Sequence, residues 1–115
     1  MRLAVISDIH SNLEALLAVA AVFRDLLVDE IHFVGDAVGY GPDPNACGKW
    51  ILENVAYGVM GNHDCAALGL MDIDTFNDNA RRAIIWNAAR MEVEIREYLR
   101  SLPMKHQHDD LTLVH

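Results

Sequence analysis

Leu3 to Ser7 read as a short strand, apolar and partly β-branched, that runs straight into Asp8, Ile9, His10, Ser11 and Asn12. An apolar run of that length suits a buried strand of a parallel sheet. Buried strands ordinarily give way to Gly, Pro or a lone Asn. Here an acid and an imidazole follow two residues apart. The carboxyl end of this strand is a place where oxygen and nitrogen ligands are wanted together.

The pattern repeats along the chain. A helix is expected from about Asn12 to Val28, capped by Ser11 or Asn12, with Leu13, Leu16, Leu17, Ala20, Phe23 and Leu27 as its apolar stripe. Ile31 to Val34 form a second strand. Asp43 before Pro44 marks the start of a helix that reaches about Glu53. Val55 to Met60 form a third strand. The order β-α-β-α-β predicts parallel strands joined by right-handed crossovers. After Gly61 come a helical turn at Cys65–Leu70, a helix from Asn77 to about Ala89, a break near Arg90, and a helix from Glu92 to Leu102 that Pro103 stops. Ala80, Ala83, Ile84 and Asn87 share one side of the Asn77 helix. Met104–His108 and Leu111–Val114 read as two strands joined at Asp109-Asp110. The 115 residues make one domain, residues 1–115.

Strand two runs into GDAVGYG, Gly35 to Gly41, and strand three into GNHD, Gly61 to Asp64. In an open parallel sheet the carboxyl ends lie along one edge, where ligands bind. Asp8, His10, Asp36, Asn62 and His63 are thereby gathered into one small volume. Packed carboxylates repel and raise one another's pKa unless a cation sits among them. Mixed Asp, His and Asn donors suit Mn²⁺, Fe²⁺ or Zn²⁺. A carboxylate on the middle strand can bridge two such ions, an arrangement that recurs in displacement at phosphorus. His32, in mid-strand, reads as packing or surface rather than a ligand, and Asp64 as a residue that fixes the turn or caps the next helix.

SDIHSN, GDAVGYG and GNHD, in this order and spacing, resemble the calcineurin-like metallophosphoesterases, and the small bacterial and archaeal phosphodiesterase-like branch most of all. The resemblance covers essentially the whole chain. It implies an α/β fold, an αββα sandwich, present here as its N-terminal β-α-β-α-β part with further helices and a hairpin. It implies Asp8 and His10 as ligands of a first metal, Asp36 as the bridge, and Asn62 and His115 as ligands of a second. It further implies that Asn62 stabilises phosphoryl oxygens and that His63 serves the leaving group. The cofactors implied are two divalent ions, Mn²⁺ first, with Fe²⁺, Zn²⁺ or Ni²⁺ as substitutes. The reaction implied is hydrolysis of a small phosphomonoester or phosphodiester by a hydroxide bridging the metals. Nucleotides, cyclic or linear phosphodiesters and dinucleoside polyphosphates all fit. The protein phosphatases of the family carry Asp-Arg after the second motif; Gly39-Tyr40 stand there instead, so that arginine clamp is missing.

The family also uses a later Gly-His-x-His element, which these residues lack. His106 and His108 form an H-x-H pair with no preceding Gly, and their alternation reads as a solvated strand face. The expectation is therefore the N-terminal portion of a longer domain, with an alternative reading as a catalytically weak remnant that binds metal or a partner. It should self-associate through apolar residues left uncovered on the first sheet, such as Val5, Phe33 and Val59, and through the strand edge beside Leu111–Val114. A formal charge of −8 argues against general nucleic-acid or anionic-membrane binding. No export signal or membrane span is visible, and Cys47 and Cys65 lack metal or redox spacing, which points to a cytoplasmic protein with reduced thiols.

Overall fold

The computed structural model describes residues 1–115. In chain order the elements are β1 (Leu3–Ile6), α1 (Leu13–Asp25), β2 (Glu30–Phe33), α2 (Pro44–Asn54), β3 (Tyr57–Gly58), α3 (Asn62–Ala67), α4 (Asp78–Arg90), α5 (Val93–Ser101), β4 (Lys105–His108) and β5 (Leu111–Val114). β1, β2 and β3 form a parallel sheet in that order, and β4 and β5 a separate antiparallel hairpin. The expected β-α-β-α-β order and the turn at Asp109-Asp110 are both present, in an α/β sandwich.

Local chemistry explains most boundaries. Asn12 Oδ1 accepts the Ala15 N–H at 3.1 Å and Asn77 Oδ1 the Ala80 N–H at 2.9 Å, so both act as N-caps. Asp43 occupies the N-cap position of α2 ahead of Pro44, but its side chain makes no capping bond. The break between α4 and α5 is held by Asn45. Its amide donates to Arg90 O at 2.8 Å and accepts from the Glu92 N–H at 2.8 Å. Some boundaries differ from expectation. β1 stops at Ile6 and α1 at Asp25, each shorter than expected, and α3 is displaced to start at Asn62, inside the third motif. β3 keeps ladder geometry only at Tyr57–Gly58, although Ala56 and Val59 still donate to Ile31 O and Phe33 O.

One face of the sheet carries the helices. Ile6 and Phe33 are register partners on that face. They share one buried cluster with Leu16 of α1, Ile51 of α2, Ala66 of α3, Ile84 of α4, and Ile95 and Leu99 of α5. Each such side chain contributes roughly 1.5–3 kcal/mol on burial. On the opposite face Val5, His32 and Tyr57 are aligned. The hairpin covers part of it: His106 and His108 stack on Tyr57 with ring centroids 4.6 and 4.3 Å away. Val5 stays 56% exposed. Phe33 and Val59 are fully buried, contrary to expectation. Phe33 points to the helical side because it pairs with Ile6, one residue out of phase with Val5. In α1, Leu16 and Ala20 face the core while Leu17 and Leu27 lie exposed. The radius of gyration is 13.7 Å, close to the ~13 Å typical of a folded chain of about 100 residues. No helix is long and apolar enough to cross a membrane.

Asp64, in the first turn of α3, ties this helix to the loop after β2. Its carboxylate accepts backbone N–H groups from Asp36 (2.8 Å), Ala37 (2.8 Å), Val38 (3.3 Å) and Gly61 (3.0 Å). Burial raises its carboxyl to about 6, Asp36 adding to the rise and the N–H groups of Gly61, Asp36 and Val38 opposing it. Asp64 therefore both fixes the turn and serves the start of α3. Asp64→Ala removes the acceptor from four buried donors, each of which costs about 1–3 kcal/mol when left unmade. We expect a loss of more than about 3 kcal/mol in denaturant unfolding, with Asp64→Asn in between because one oxygen remains. A loss under 1 kcal/mol for Asp64→Ala would show that the loop holds without it.

Candidate metal centre

The three motif loops meet beyond the carboxyl ends of β1, β2 and β3. The first two are laddered on each other by backbone bonds. Asp8, His10 and Ser11 donate to Gly35 O, Asp36 O and Ala37 O at 2.9–3.0 Å, and Gly41 and Asp43 donate back to His10 O and Ser11 O. The lattice holds an unusual backbone. Five of the seven non-glycine residues with positive φ are Asp8, His10, Ser11, Asp36 and Tyr40. Such residues persist only where their surroundings over-determine them, and they cluster at functional sites. Gly61 permits the close crossing of loops two and three, since a Cβ there would overlap Asp36 Oδ1.

Asp36 lies at the centre, 2% exposed. Its Oδ1 accepts the His63 backbone N–H at 2.9 Å. Its Oδ2 stands 3.6 Å from His10 Nε2 and 3.4 Å from His115 Nε2. Asp8 Oδ1 is 3.5 Å from His10 Nε2, and Ser7 Oγ donates to Asp8 Oδ2. Two groups able to hold a metal ion result, His10–Asp36–His63 and Asp8–Asp36–His115, and Asp36 belongs to both. Asn62 Oδ1 adjoins the second, 2.9 Å from His115 Nε2.

Hydrogen bonding sets which ring nitrogen each histidine presents. His10 Nδ1 donates to Val38 O at 3.0 Å and His115 Nδ1 to Val34 O at 2.7 Å. In the neutral rings both Nε2 lone pairs then point toward Asp36. A carbonyl on the far nitrogen is the usual support of a metal-binding imidazole. The surface formed by the two acids and these two rings is therefore made of acceptors only, Asp8 and Asp36 oxygens and two Nε2 atoms, with the Asn62 amide beside them. Neither acid has a Lys or Arg partner; the lysine and arginine ion pairs, Lys49–Glu53 and Arg81–Asp78, lie elsewhere. Converging lone pairs without a donor fit divalent cations.

His63 is placed differently. Its ring is buried, edge-on to His10 (4.6 Å) and Phe76 (5.0 Å), and tilted against Tyr40 (5.1 Å). Gly39 leaves room for it, since a Cβ there would lie 2.7 Å from His63 Nδ1. That Nδ1 has no hydrogen-bond partner. Burial lowers the His63 pKa, partly offset by the charge of Asp36. The structure thus brings together every residue singled out in the three motifs, with His115. His106 and His108 stay on the sheet face against Tyr57, and His32 packs edge-on to Tyr57 with Glu30 on its Nε2.

One residue of consequence escaped sequence reasoning. Asn87 of α4 is fully buried. Its Oδ1 accepts from Ser11 Oγ (2.5 Å) and the Gly39 N–H (3.2 Å), while Nδ2 donates to Gly41 O (3.2 Å) and Ala83 O (2.9 Å). It pins the first two loops to α4. The available signal was a lone amide on the same side as Ala80 and Ile84. Ser11, a candidate cap for α1, serves Asn87 instead.

Residues 1–114 match the calcineurin-like phosphoesterase family. An uncharacterized protein of Methanocaldococcus jannaschii is 43% identical over 102 residues, covering 89% of this chain and 42% of that protein. A symmetrical bis(5'-nucleosyl)-tetraphosphatase of Methylobacillus flagellatus is 30% identical over 115 residues, covering 96% of this chain and 41% of that protein. The crystal structure of a metallophosphoesterase from Sphaerobacter thermophilus superposes with a TM-score of 0.79 at 41% identity, over all of this chain and 46% of that one. The chain spans less than half the length of these relatives. With two potential metal groups sharing Asp36 at the ends of parallel strands, and a family match over nearly its whole length, the chain belongs to the calcineurin-like phosphoesterases.

Proposed function

We propose that these residues form the active site of a metal-dependent phosphoesterase acting on a small phosphomonoester or phosphodiester. The observation that carries the reading is the acceptor-only surface around Asp36, with the Nδ1 atoms of His10 and His115 tied to carbonyls. Asp8, His10 and Asp36 would hold one divalent ion, Asp8 standing between the His10 and His115 groups with its Oδ1 3.5 Å from His10 Nε2, and Asp36, Asn62 and His115 the other, Mn²⁺ being the first candidate. Two such ions supply an activated water and positive charge at the phosphoryl oxygens. The side chains do the rest. Asp36, locked by its bond to the His63 N–H, keeps both ligand groups in one frame. The Asn62 amide reaches the phosphoryl oxygens as their charge grows. His63 lacks the carbonyl support that His10 and His115 share, so it is assigned to the leaving group, to which it gives a proton or a hydrogen bond.

Metal content by mass spectrometry, with hydrolysis of an aryl phosphodiester in the presence and absence of Mn²⁺, tests the reading. Absence of metal-stimulated hydrolysis together with retained metal would favour metal binding without turnover. Asp36→Asn is expected to lose most bound metal and Asn62→Ala less, because Asp36 serves both groups. Equal metal in wild type and Asp36→Asn would remove the bridging role. His63→Ala is expected to keep its metal while turnover falls about 10²–10⁴-fold, the usual worth of a positioned acid. Metal loss in that variant would make His63 a ligand of the His10–Asp36 group.

Self-association belongs to the same proposal. Val5, Leu17, Val19, Val22 and Leu26 are each between 41% and 56% exposed on β1 and around α1, and β1 has a free edge. Val5 and Val19 line one recess, and exposed apolar side chains beside an open strand edge mark an interaction face. Light scattering after size exclusion should show a mass above 12.8 kDa at micromolar concentration. A monomer with no binding of an apolar-surface dye would refute it.

A further inference from the structure

A groove of about 550 Å³ leads away from the metal-holding residues, lined by Asp8, His10, Tyr40, Gly41 and Pro42 among others. It shares Tyr40, Gly41 and Pro42 with a second recess, whose far wall is Trp86 of α4. Two large aromatic rings thus stand along one path from the cluster, Tyr40 51% and Trp86 40% exposed. Neither position is casual. Tyr40 adopts φ 56 between Gly39 and Gly41, a backbone that a bulky L residue takes up only at a cost. Its ring is held edge-on to His10 at 5.0 Å and tilted to His63 at 5.1 Å.

Trp86 is anchored from below. Its neighbour Asn87 binds Gly39 N–H and Gly41 O, which fixes α4 against the loop that carries Tyr40. The Arg90 guanidinium lies over the indole, 3.7 Å from the ring centroid, and Arg90 Nη1 donates to Trp86 O. This pins the ring and puts one positive charge beside an otherwise acidic site. Rigid aromatic faces reached from a phosphate site suit a flat π-system carried by the ester, which can stack on them.

Resting on the phosphoesterase reading above, we propose that Tyr40, Pro42 and Trp86 form an aromatic subsite that holds the planar ring of a nucleoside or aryl phosphate while its phosphate lies at the Asp36 cluster. The subsite selects esters by ring stacking and leaves the chemistry to the motif residues.

The test uses Trp50→Phe, which leaves Trp86 as the sole tryptophan. Adenosine 5′-monophosphate, phenyl phosphate and ribose 5-phosphate are titrated in saturating Mn²⁺, with affinities from calorimetry and Trp86 fluorescence as the local reporter. The ring-bearing phosphates should quench Trp86, and the tighter of them should bind about 10-fold or more tighter than ribose 5-phosphate. Trp86→Ala in the wild-type background should bring that ligand to the ribose 5-phosphate level, leaving ribose 5-phosphate itself unchanged, while Trp86→Phe retains most of the gain. An advantage for adenosine 5′-monophosphate over phenyl phosphate identifies the ring as a nucleobase; equal or reversed affinities identify a general aryl site. Equal binding of all three, with metal bound, overturns the subsite and leaves the phosphoesterase reading standing. Quenching by adenosine in protein that holds neither Mn²⁺ nor ribose 5-phosphate supports the subsite and removes the phosphoesterase reading. Absence of quenching by every ring-bearing ligand overturns the subsite.

Discussion

Two carboxylates hold the structure's working edge by an exchange of backbone bonds. Asp64, on α3, collects the N–H groups of Asp36, Ala37 and Val38 from the loop after β2, and that of Gly61 at its own helix start. Asp36, on that loop, returns the bond by accepting the His63 N–H of α3. Each acid therefore stabilises the backbone that carries the other. Both are nearly fully buried, in a region where an unmade bond is expensive and a completed network is rigid. Only one of them is left with a free oxygen facing outward. Asp36 Oδ2 looks toward His10 and His115, whereas both Asp64 oxygens are consumed by the main chain. This division explains why two aspartates of similar burial serve different ends.

The left-handed residues depend on that lock. Asp8, His10, Ser11, Asp36 and Tyr40 would relax to negative φ in a free loop, at a gain of about 1–2 kcal/mol each. The cross-loop ladder from Asp8–Gly35 to Asp43–Ser11 removes that freedom, and Asn87 closes the far end through Ser11, Gly39 and Gly41. The result is side chains aimed inward from a backbone that has left the sheet. A regular strand would alternate them between faces and bring Asp8 and His10 out on one side only with a second residue between.

The parts legible in the sequence were those written in adjacent residues. Three apolar runs with polar ends gave the strands and the cluster of candidate ligands beyond them, and Asn12, Asn77 and Pro44 marked helix starts. What needed the third dimension was lost. Val5 and Phe33 look alike in a list of strand residues, but the register puts one opposite His32 and the other opposite Ile6, on different faces. In α1 the apolar residues run nearly round the helix, so periodicity could not decide between Leu16, which is buried, and Leu17, which is exposed. Asn87 reads as an interruption of an apolar side until two loops from far upstream are laid against it. The Val55–Met60 run was right in kind and too long in extent: Val59 still donates to Phe33 O of β2, but Met60 turns away from the sheet and donates to Pro103 O.

The hairpin shows how position along a strand, more than residue type, decides what a histidine does. His106 and His108 occupy alternate places on β4, face the first sheet, and lie against the flat side of Tyr57, with Leu113 buried on the same face of β5. There they act as aromatic packing. His115 follows the last residue of β5, where no ladder partner constrains it. Its ring is free to turn toward the end of β2, meet Val34 O with Nδ1 and present Nε2 to Asn62 and Asp36. Antiparallel pairing in the hairpin sends β5 back against β4, so its final residue arrives at the edge where the parallel strands also end. An H-x-H within a strand cannot make that approach, since both rings are committed to one face along the strand's length.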